Sequence, residues 1–510
     1  MIIKNIMTAI DTIAETQGHT IAYDELGNTH TYEQLKKYSD SLASFIENLH
    51  VADKAPIMVY GGQQFDMIVS FLGSVKAGHA YVPVDVNSAD ERLTDIIEIG
   101  QPALIIAVDD LPIEVNDVTV INKTQLTEIF NTVNAFKMTQ PVVGDENFYI
   151  IFTSGTTGKP KGVQISHDNL VSFASWMLGE TFNWQSGSNV LSQPPYSFDL
   201  SVMDWVPTLL AKGTLKALPK DVADDFKTLF KTLPSLQIHK WVSTPSFADV
   251  ALLDPEFKQQ NHPNLNAFFF CGEVLTSTTA QKLLDRFPDA KVYNTYGPTE
   301  ATVAVTGLQI TQDVIASYDK MPIGYVKSDT KIMIQDSDGI AVSEDEAGEI
   351  VIVGPSVSKG YLNNPEKTAA TFTVIDGQQA YKTGDLATRD VNGLLHYKGR
   401  SDFQIKLHGF RIELEEVAQQ LQQSQWVEQA VAVPRYDADG KVKQLLAIIV
   451  AKNNTFEKPI LLTNAIKSEL ENIMMPYMVP SRFMYREALP LTPNGKIDLK
   501  GLISEVNNNA

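Results

Sequence analysis

Two periodicities of apolar residues alternate between residues 50 and 300. Short strand-like runs recur at residues 56–60, 103–108, 148–152, 241–242, 267–270 and 291–293. Between them, residues 65–75 and 202–210 carry apolar side chains at three- and four-residue intervals, as one face of an α-helix does. This repeated alternation of strands and helices predicts parallel sheets that are covered by helices.

The pattern becomes β-like after about residue 303 and mixed after residue 400. Short runs at residues 331–334, 349–353 and 395–397, separated by turns such as Ser337-Asp338-Gly339, predict an antiparallel β subdomain. Beyond them, helical stripes at 414–421 and 465–474 and strand-like runs at 430–433 and 445–450 predict a small α+β domain.

Composition and charge restrict the class of protein. The chain has 510 residues, with 41 Lys and Arg against 61 Asp and Glu, so its formal net charge is −20. Such an acidic balance disfavours a general nucleic-acid or anionic-membrane binder. A single cysteine excludes an intrachain disulfide, and no run of 18 apolar residues is present. We therefore expect a cytoplasmic protein without stable membrane insertion.

The strongest local motif is the loop at residues 153–162, which reads TSGTTGKPKG and follows a predicted strand. Glycine, hydroxyl and lysine residues together can surround phosphate oxygens with backbone N–H groups and positive charge. The loop is not a Walker A motif, because Gly155 and Gly158 are only three residues apart and Pro160 follows the lysine. It therefore indicates a phosphate site of a different class.

Four further segments occur in a fixed order with this loop. They are NTYGPTE at 294–300, YKTGDL at 381–386, GRSD to KLHG at 399–409, and NGKID at 494–498. With these five motifs the chain resembles the adenylate-forming superfamily of acyl-CoA synthetases and adenylation domains. The resemblance implies an α/β fold, with a large N-terminal domain of two helix-covered β-sheets plus a β-barrel-like subdomain, and a small mobile C-terminal α+β domain. The domains would span residues 1–399 and 403–510, with a hinge at 400–402.

The resemblance also implies that ATP and Mg²⁺ are bound by these motifs. Glu300 would be the metal ligand, because Mg²⁺ prefers one or two carboxylates together with phosphate oxygens. Tyr296 would offer an aromatic face to adenine, and Asp385 would accept the ribose hydroxyls. The implied ATP-binding residues are Thr153, Ser154, Asn294, Thr295, Tyr296, Gly297, Pro298, Thr299, Asp385, Tyr397, Lys398, Gly399, Arg400 and Lys496.

Lys496 is the implied catalytic residue. Carboxylate activation joins two anions, the substrate carboxylate and the α-phosphate, so a cation between them stabilises the developing charge. Because Lys496 lies in the C-terminal domain, it would reach the site by rotation about residues 400–402. The resemblance implies that residues 406–409 enter for the second half-reaction.

The segment PYSFDLS at 195–201 indicates the class of acid that is activated. In relatives that activate amino acids, an aspartate at the position of Asp199 binds the substrate ammonium. The alternative is that Asp199 is only a helix N-cap, and both roles are compatible. Cys271 and Val303, in segments expected to form the pocket floor, are the other predicted substrate-binding residues together with Lys496. Cys271 could also be an inert core thiol.

Within the superfamily, the chain looks most like stand-alone enzymes that activate D-alanine. Such enzymes pass the alanyl group to the phosphopantetheine thiol of a separate carrier protein, for lipoteichoic acid decoration. The alternatives are adenylation of another small amino acid, as in nonribosomal peptide synthesis, and a short-chain acyl-CoA synthetase. An ADP-releasing kinase or ligase and a catalytically inactive binding protein are further rivals; the missing Walker A motif and the intact motif set disfavour them.

Overall fold

The computed structural model describes residues 3–132, 136–155, 159–318, 320–471, 473–491 and 497–508. The chain divides into two compact units. Unit 1 contains Met1–Val86, Ile99–Phe152 and Gly162–Ser401, and unit 2 contains Asn87–Glu98, Thr153–Lys161 and Asp402–Ala510.

The strands and helices are numbered in chain order. The strands are β1 (Ile21–Glu25), β2 (Asn28–Thr31), β3 (Ile57–Tyr60), β4 (Tyr81–Val84), β5 (Leu104–Ala107), β6 (Thr119–Ile121), β7 (Asn147–Thr153), β8 (Lys161–Ser166), β9 (Asn189–Ser192), β10 (Thr214–Ala217), β11 (Lys240–Ser243), β12 (Ala267–Phe270), β13 (Lys291–Tyr296), β14 (Thr306–Ile310), β15 (Tyr325–Val326), β16 (Lys331–Gln335), β17 (Gly348–Val353), β18 (Phe372–Ile375), β19 (Gln378–Arg389), β20 (Leu395–Arg400), β21 (Gln404–Leu407), β22 (Phe410–Glu413), β23 (Val427–Tyr436), β24 (Val442–Ala451) and β25 (Arg482–Tyr485). The α-helices are α1 (Ile6–Gln17), α2 (Tyr32–Leu49), α3 (Phe65–Lys76), α4 (Asp90–Gly100), α5 (Lys123–Asn131), α6 (His167–Met177), α7 (Leu200–Leu210), α8 (Lys220–Asp224), α9 (Phe226–Thr232), α10 (Pro245–Ala251), α11 (Ser277–Arg286), α12 (Gln312–Ser317), α13 (Pro365–Thr371), α14 (Leu414–Leu421), α15 (Pro459–Leu470) and α16 (Leu499–Asn508). Within the described residues, none of the helices has the length and apolar character that crossing a membrane requires.

Unit 1 is built on two large sheets. The first has the order β15-β14-β13-β12-β11-β9-β10-β1-β2 and is parallel from β13 through β12, β11, β9 and β10 to β1. The second has the order β6-β5-β3-β4-β7-β8, with β6, β5, β3, β4 and β7 parallel. Their strands are buried on both faces, as in β12, where all four residues are buried. The predicted pair of helix-covered sheets is confirmed.

The predicted antiparallel subdomain is a five-stranded sheet in the order β16-β17-β19-β18, with β20 paired to β19. It begins at Lys331, later than the change of pattern near residue 303. The strands between, β14 and β15, extend the first large sheet by antiparallel pairing instead. Polar patterning alone could not separate them, because edge strands and a small antiparallel sheet both alternate polar and apolar residues.

Unit 2 contains the hairpin β21-β22 and the three-stranded sheet β23-β24-β25, packed with α14, α15 and α16 around apolar residues such as Ile412, Val417 and Ile466. The predicted α+β domain is thus present, and α14 has the predicted bounds of 414–421. The second helix was predicted at 465–474 but spans Pro459–Leu470. Pro459 lies in its first turn, where a missing backbone N–H costs nothing, so this proline starts the helix earlier than the apolar stripe indicates.

Candidate active site

Four predicted nucleotide-binding residues meet at Asp385, which is 2% exposed. The Tyr296 hydroxyl donates to Asp385 Oδ2 at 2.6 Å, and Arg400 Nη1 donates to Oδ1 at 2.7 Å. The Tyr397 hydroxyl lies 3.5 Å from the same Oδ1. Strand pairing produces this arrangement, because Asp385 on β19 is opposite Arg400 on β20.

The electrostatics of this cluster hold the carboxylate in one orientation. Burial, and then the neighbouring Asp385 carboxylate, raise the pKa of the Tyr296 hydroxyl well above its usual value, so it remains a donor. Arg400 also donates to the Thr383 carbonyl at 3.1 Å, and the Thr383 hydroxyl accepts from the Asp385 backbone N–H. An ionised carboxylate has about four acceptor positions, so it can accept further hydroxyl groups beside these donors.

The remaining residues of the 294–299 motif have different surroundings. The Asn294 amide donates to the Pro322 carbonyl at 2.7 Å, and the Thr295 hydroxyl donates to the Phe270 carbonyl at 2.9 Å, which joins β13 to β12. A Cβ on Gly297 would lie 2.5 Å from Ala304 Cα, so only glycine permits this close approach of two backbone segments. Pro298 and Thr299 then begin a short 3₁₀ turn.

Lys398 and Gly399, also predicted to bind ATP, lie on β20 beside Arg400. Lys398 is exposed and falls at a register shift, where Gly399 pairs with Leu386 and Tyr397 with Ala387. Gly399 has φ +111°, which a residue with a side chain rarely adopts. The bulge therefore brings Tyr397 and Arg400 to Asp385 while Lys398 stays at the surface.

Glu300 lies on the 3₁₀ turn Thr299–Ala301 and is fully buried. Its Oε1 accepts a hydrogen bond from the Tyr361 hydroxyl at 2.7 Å, and its carbonyl accepts from the Ser358 N–H at 2.9 Å. The described part of the chain contains no group of three or more His, Cys, Asp or Glu residues that could hold a metal alone. A single buried carboxylate suits Mg²⁺ only when phosphate oxygens complete its shell.

The phosphate-loop residues Thr153 and Ser154 belong to unit 2. The Ser154 hydroxyl donates to the Arg411 carbonyl at 2.6 Å, and the Gly155 N–H donates to Glu416 Oε2 at 3.1 Å. The Thr153 Oγ1 is buried, and no hydrogen-bond partner for it lies within the described ranges. The middle of the loop, residues 156–158, is outside them, so these contacts cover only its two ends.

Glu416 on α14 was not predicted from the sequence. Burial raises the pKa of its carboxyl to about 7, against the opposing effects of Arg92 and the Gly155 N–H. Nearby, Lys161 Nζ lies 3.7 Å from Glu413 Oε1. An acidic residue at the first turn of a helix is ordinarily solvated, so nothing in the sequence indicated burial here.

Asp199 immediately precedes α7 and is 6% exposed. It occupies the N-cap position, but its side chain makes no capping hydrogen bond to the helix. Its charge is felt by Tyr149, whose hydroxyl pKa is raised well above its usual value by burial first and by Asp199 second. The N-cap alternative therefore describes the position of Asp199 and leaves its buried carboxylate without a capping function.

The structure brings Cys271 and Val303 together, although they are 32 residues apart. The Cys271 thiol, 3% exposed, donates to the Val303 carbonyl with a sulfur–oxygen distance of 3.6 Å. Thr302 and Val303 have φ values of 57° and 66°, an unusual conformation for β-branched residues. This turn is what directs the Val303 carbonyl to the cysteine. Lys496, the predicted catalytic residue, lies outside the described residues.

Comparisons with known proteins agree with the motifs. The AMP-binding enzyme family matches residues 10–362, and the AMP-binding enzyme C-terminal domain matches residues 416–496. The chain is 57% identical over 505 residues to the D-alanine–D-alanyl carrier protein ligase of Lactiplantibacillus plantarum, covering 99% of each chain. It is 53% identical over 509 residues to the ligase of the same name from Streptococcus agalactiae, covering 99% of this chain and 100% of that one.

The fold agrees as well. The Vibrio cholerae adenylation domain AlmE, solved in complex with glycyl-adenosine-5′-phosphate, aligns with a TM-score of 0.81 at 23% identity, over 99% of this chain and 98% of that chain. A nonribosomal peptide synthetase protein containing adenylation and PCP domains aligns with a TM-score of 0.82 at 24% identity, over 98% of this chain and 84% of that one. The chain therefore belongs to the AMP-binding enzymes, an ATP-using family of adenylate-forming ligases, and within it to the D-alanine–D-alanyl carrier protein ligases.

Proposed function

We propose that this protein condenses D-alanine with ATP to give D-alanyl-AMP and pyrophosphate, and then transfers the alanyl group to the phosphopantetheine thiol of a separate carrier protein. The observation that carries the proposal is the 57% identity over 99% of both chains to a ligase of that name. The downstream use of the product is D-alanylation of lipoteichoic acid. ATP as co-substrate and the unpaired cysteine suit a reaction in the cytoplasm.

The nucleotide site is centred on Asp385. Its carboxylate is fixed by Tyr296 and Arg400 and, in our proposal, accepts the two ribose hydroxyls on its remaining lone pairs. The ring of Tyr296 faces the adenine, and Arg400 adds positive charge toward the phosphates. Asn294 to Thr299 form the wall along the α-phosphate.

The phosphate tail and the metal occupy the adjoining region in this proposal. Thr153 and Ser154 bind phosphate oxygens with the loop that follows them, and the buried, unpartnered Thr153 Oγ1 is a donor suited to that purpose. Glu300 is the protein ligand for Mg²⁺, with ATP oxygens completing the shell. When bound, the ion neutralises phosphate charge that would otherwise repel the incoming carboxylate.

The amino-acid pocket is assigned to Asp199, Cys271 and Val303. A buried carboxylate binds an ammonium group and leaves acetate and other acids without one poorly recognised. The Cys271–Val303 contact provides a close wall, which favours a small side chain. Because a methylene group contributes only about 1–3 kcal/mol, this wall ranks alanine above larger amino acids without excluding all of them.

The catalytic cation and the domain movement complete the proposal. Lys496 bridges the D-alanine carboxylate and the α-phosphate, stabilising charge shared between the attacking and transferring oxygens. We assign the hinge to residues 400–402, between domains at 1–399 and 403–510. Closure about this hinge excludes water from the acyl adenylate, and residues 406–409 replace Lys496 for transfer to the thiol.

ATP–pyrophosphate exchange with D-alanine, L-alanine, glycine, serine and acetate tests the function directly. We expect exchange that depends on D-alanine, with kcat/KM highest for that acid. Highest activity with another amino acid would replace D-alanine as the substrate. Dependence on acetate alone, or release of ADP, would overturn the proposed reaction class.

A further inference from the structure

The segment from Ser358 to Leu362 contacts Glu300 at two points. Its Tyr361 side chain is 4% exposed, and the hydroxyl donates to Glu300 Oε1 at 2.7 Å across 61 residues of sequence. The Ser358 N–H donates to the Glu300 carbonyl at 2.9 Å. One short segment therefore fixes both the main chain and the carboxylate of the proposed metal ligand.

The same segment is anchored to β8, the strand that follows the phosphate loop. Val163 and Tyr361 form an antiparallel bridge, and the Leu362 N–H donates to the Gly162 carbonyl at 2.8 Å. On its other side, the Tyr361 ring packs edge-on against Phe372 at 5.4 Å between centroids. The hydroxyl of Tyr361 is therefore delivered to Glu300 from a position that both backbone and ring packing define.

A tyrosine hydroxyl suits this contact chemically. It satisfies one oxygen of a fully buried carboxylate without adding positive charge, so the full negative charge remains for a divalent cation. Lysine or arginine at the same point would compete with the cation for that charge. Mg²⁺ also demands near-ideal ligand geometry, which makes the orientation of a single carboxylate ligand important.

The turn after Glu300 is held by neighbouring residues of the same loop. The Thr302 hydroxyl donates to the Ser356 carbonyl at 2.8 Å, in a turn where Thr302 and Val303 both have positive φ values. This second contact keeps the unusual backbone in place. The rigidity around Glu300 thus comes from residues that no ATP-binding motif contains.

From this geometry we propose that Tyr361 is a positioning residue for the metal-bound nucleotide. It orients the Glu300 carboxylate toward the Mg²⁺ that accompanies ATP. The inference rests on the proposed function, since it takes Glu300 as the metal ligand. It adds Tyr361, which acts through Glu300 and touches neither the nucleotide nor the amino acid.

The test is the conservative variant Tyr361→Phe, which removes the hydroxyl and keeps the ring against Phe372. Mn²⁺ binding to the enzyme with a non-hydrolysable ATP analogue, followed by electron paramagnetic resonance, should weaken about 10-fold or more. In exchange assays, the Mg²⁺ concentration for half-maximal rate should rise, the KM for D-alanine should stay constant, and high Mg²⁺ should restore the rate. A folding defect would not be restored by metal.

Tyr293→Phe is the matched control. Tyr293 lies on β13, and its buried hydroxyl has no hydrogen-bond partner in the described part of the chain. Removing it should leave Mn²⁺ affinity unchanged. In the Glu300→Gln background, Tyr361→Phe should have little further effect, because its contribution passes through the missing carboxylate.

The two proposals fail in distinguishable ways. If Tyr361→Phe binds Mn²⁺ as tightly as the unaltered enzyme, or weakens it equally with Gln at position 300, the positioning role is wrong and the proposed function stands. If the unaltered enzyme shows no D-alanine-dependent exchange, the proposed function is wrong. The Mn²⁺ titration then still measures whether Tyr361 acts on a metal–ATP site.

Discussion

Replacement of Asp199 by asparagine isolates the charge that we assign to recognition of the D-alanine ammonium. The two side chains have nearly the same shape, and Asn is as good as Asp at a helix N-cap. No capping hydrogen bond from this side chain is lost, because none is made to α7. The variant should therefore fold normally, and its defect should reflect the lost charge.

The size of the defect follows from the burial of the site. At 6% exposure, an effective dielectric constant of about 20 is appropriate, and two unit charges about 4 Å apart then attract by roughly 4 kcal/mol. That energy corresponds to a factor of roughly 10³ in kcat/KM. Because the ammonium loses hydration on binding, we expect Asp199→Asn to lower kcat/KM for D-alanine by about 10²- to 10³-fold.

The assay compares D-alanine with D-lactate, in which a hydroxyl replaces the ammonium. Exchange driven by D-alanine should collapse in the variant while the KM for ATP stays constant, so discrimination between the two acids is largely lost. Asp225→Asn is the control, since Asp225 also caps a helix, α9, but is exposed. A kcat/KM for D-alanine within about twofold of the unaltered enzyme would refute ammonium binding by Asp199.

Three other substitutions test separate parts of the account. Lys496→Ala should bind ATP normally by calorimetry and lose most pyrophosphate exchange, and an unchanged exchange rate would refute its catalytic assignment. Tyr296→Phe removes a buried hydrogen bond to the Asp385 carboxylate, an interaction of about 1.5–3 kcal/mol, so the KM for ATP should rise about 10-fold or more; an unchanged KM would contradict the proposed ribose site. With its pKa raised from 4.5 to about 7, Glu416 holds a proton in the folded protein that the unfolded chain has released, so its contribution of up to about 3 kcal/mol is lost as the pH rises through this window. Glu416→Gln should therefore raise the melting temperature relative to the unaltered protein at pH 8 but not at pH 5, and equal differences at both pH values would contradict this.

Periodicity predicted most of the elements that surround the site. The apolar run at 57–60 and the helical stripe after Phe65 became β3 and α3, because both are buried on the faces that the pattern indicates. The turn reading of Thr383-Gly384-Asp385 as an isolated tripeptide would have been wrong, since all three lie inside β19. Pairing with β17 and β20 decides that conformation, and local sequence does not record it.

The motifs predicted which residues converge but not what supports them. Tyr296, Asp385 and Arg400 meet as a nucleotide site requires, although up to 104 residues separate them along the printed chain. Tyr361 and Glu416 gave no such signal, because each acts through a contact between distant segments and neither stands in a distinctive local pattern. Long-range pairing of this kind is visible only in three dimensions.

The most direct test of the central claim follows both half-reactions in one mixture of enzyme, D-alanine, α-labelled ATP and the phosphopantetheinylated carrier protein. We predict AMP formation that matches the appearance of a D-alanyl thioester on the carrier, released by hydroxylamine. Formation of ADP, AMP release that does not require D-alanine, or a carrier that stays unloaded while D-alanine is consumed would contradict the account.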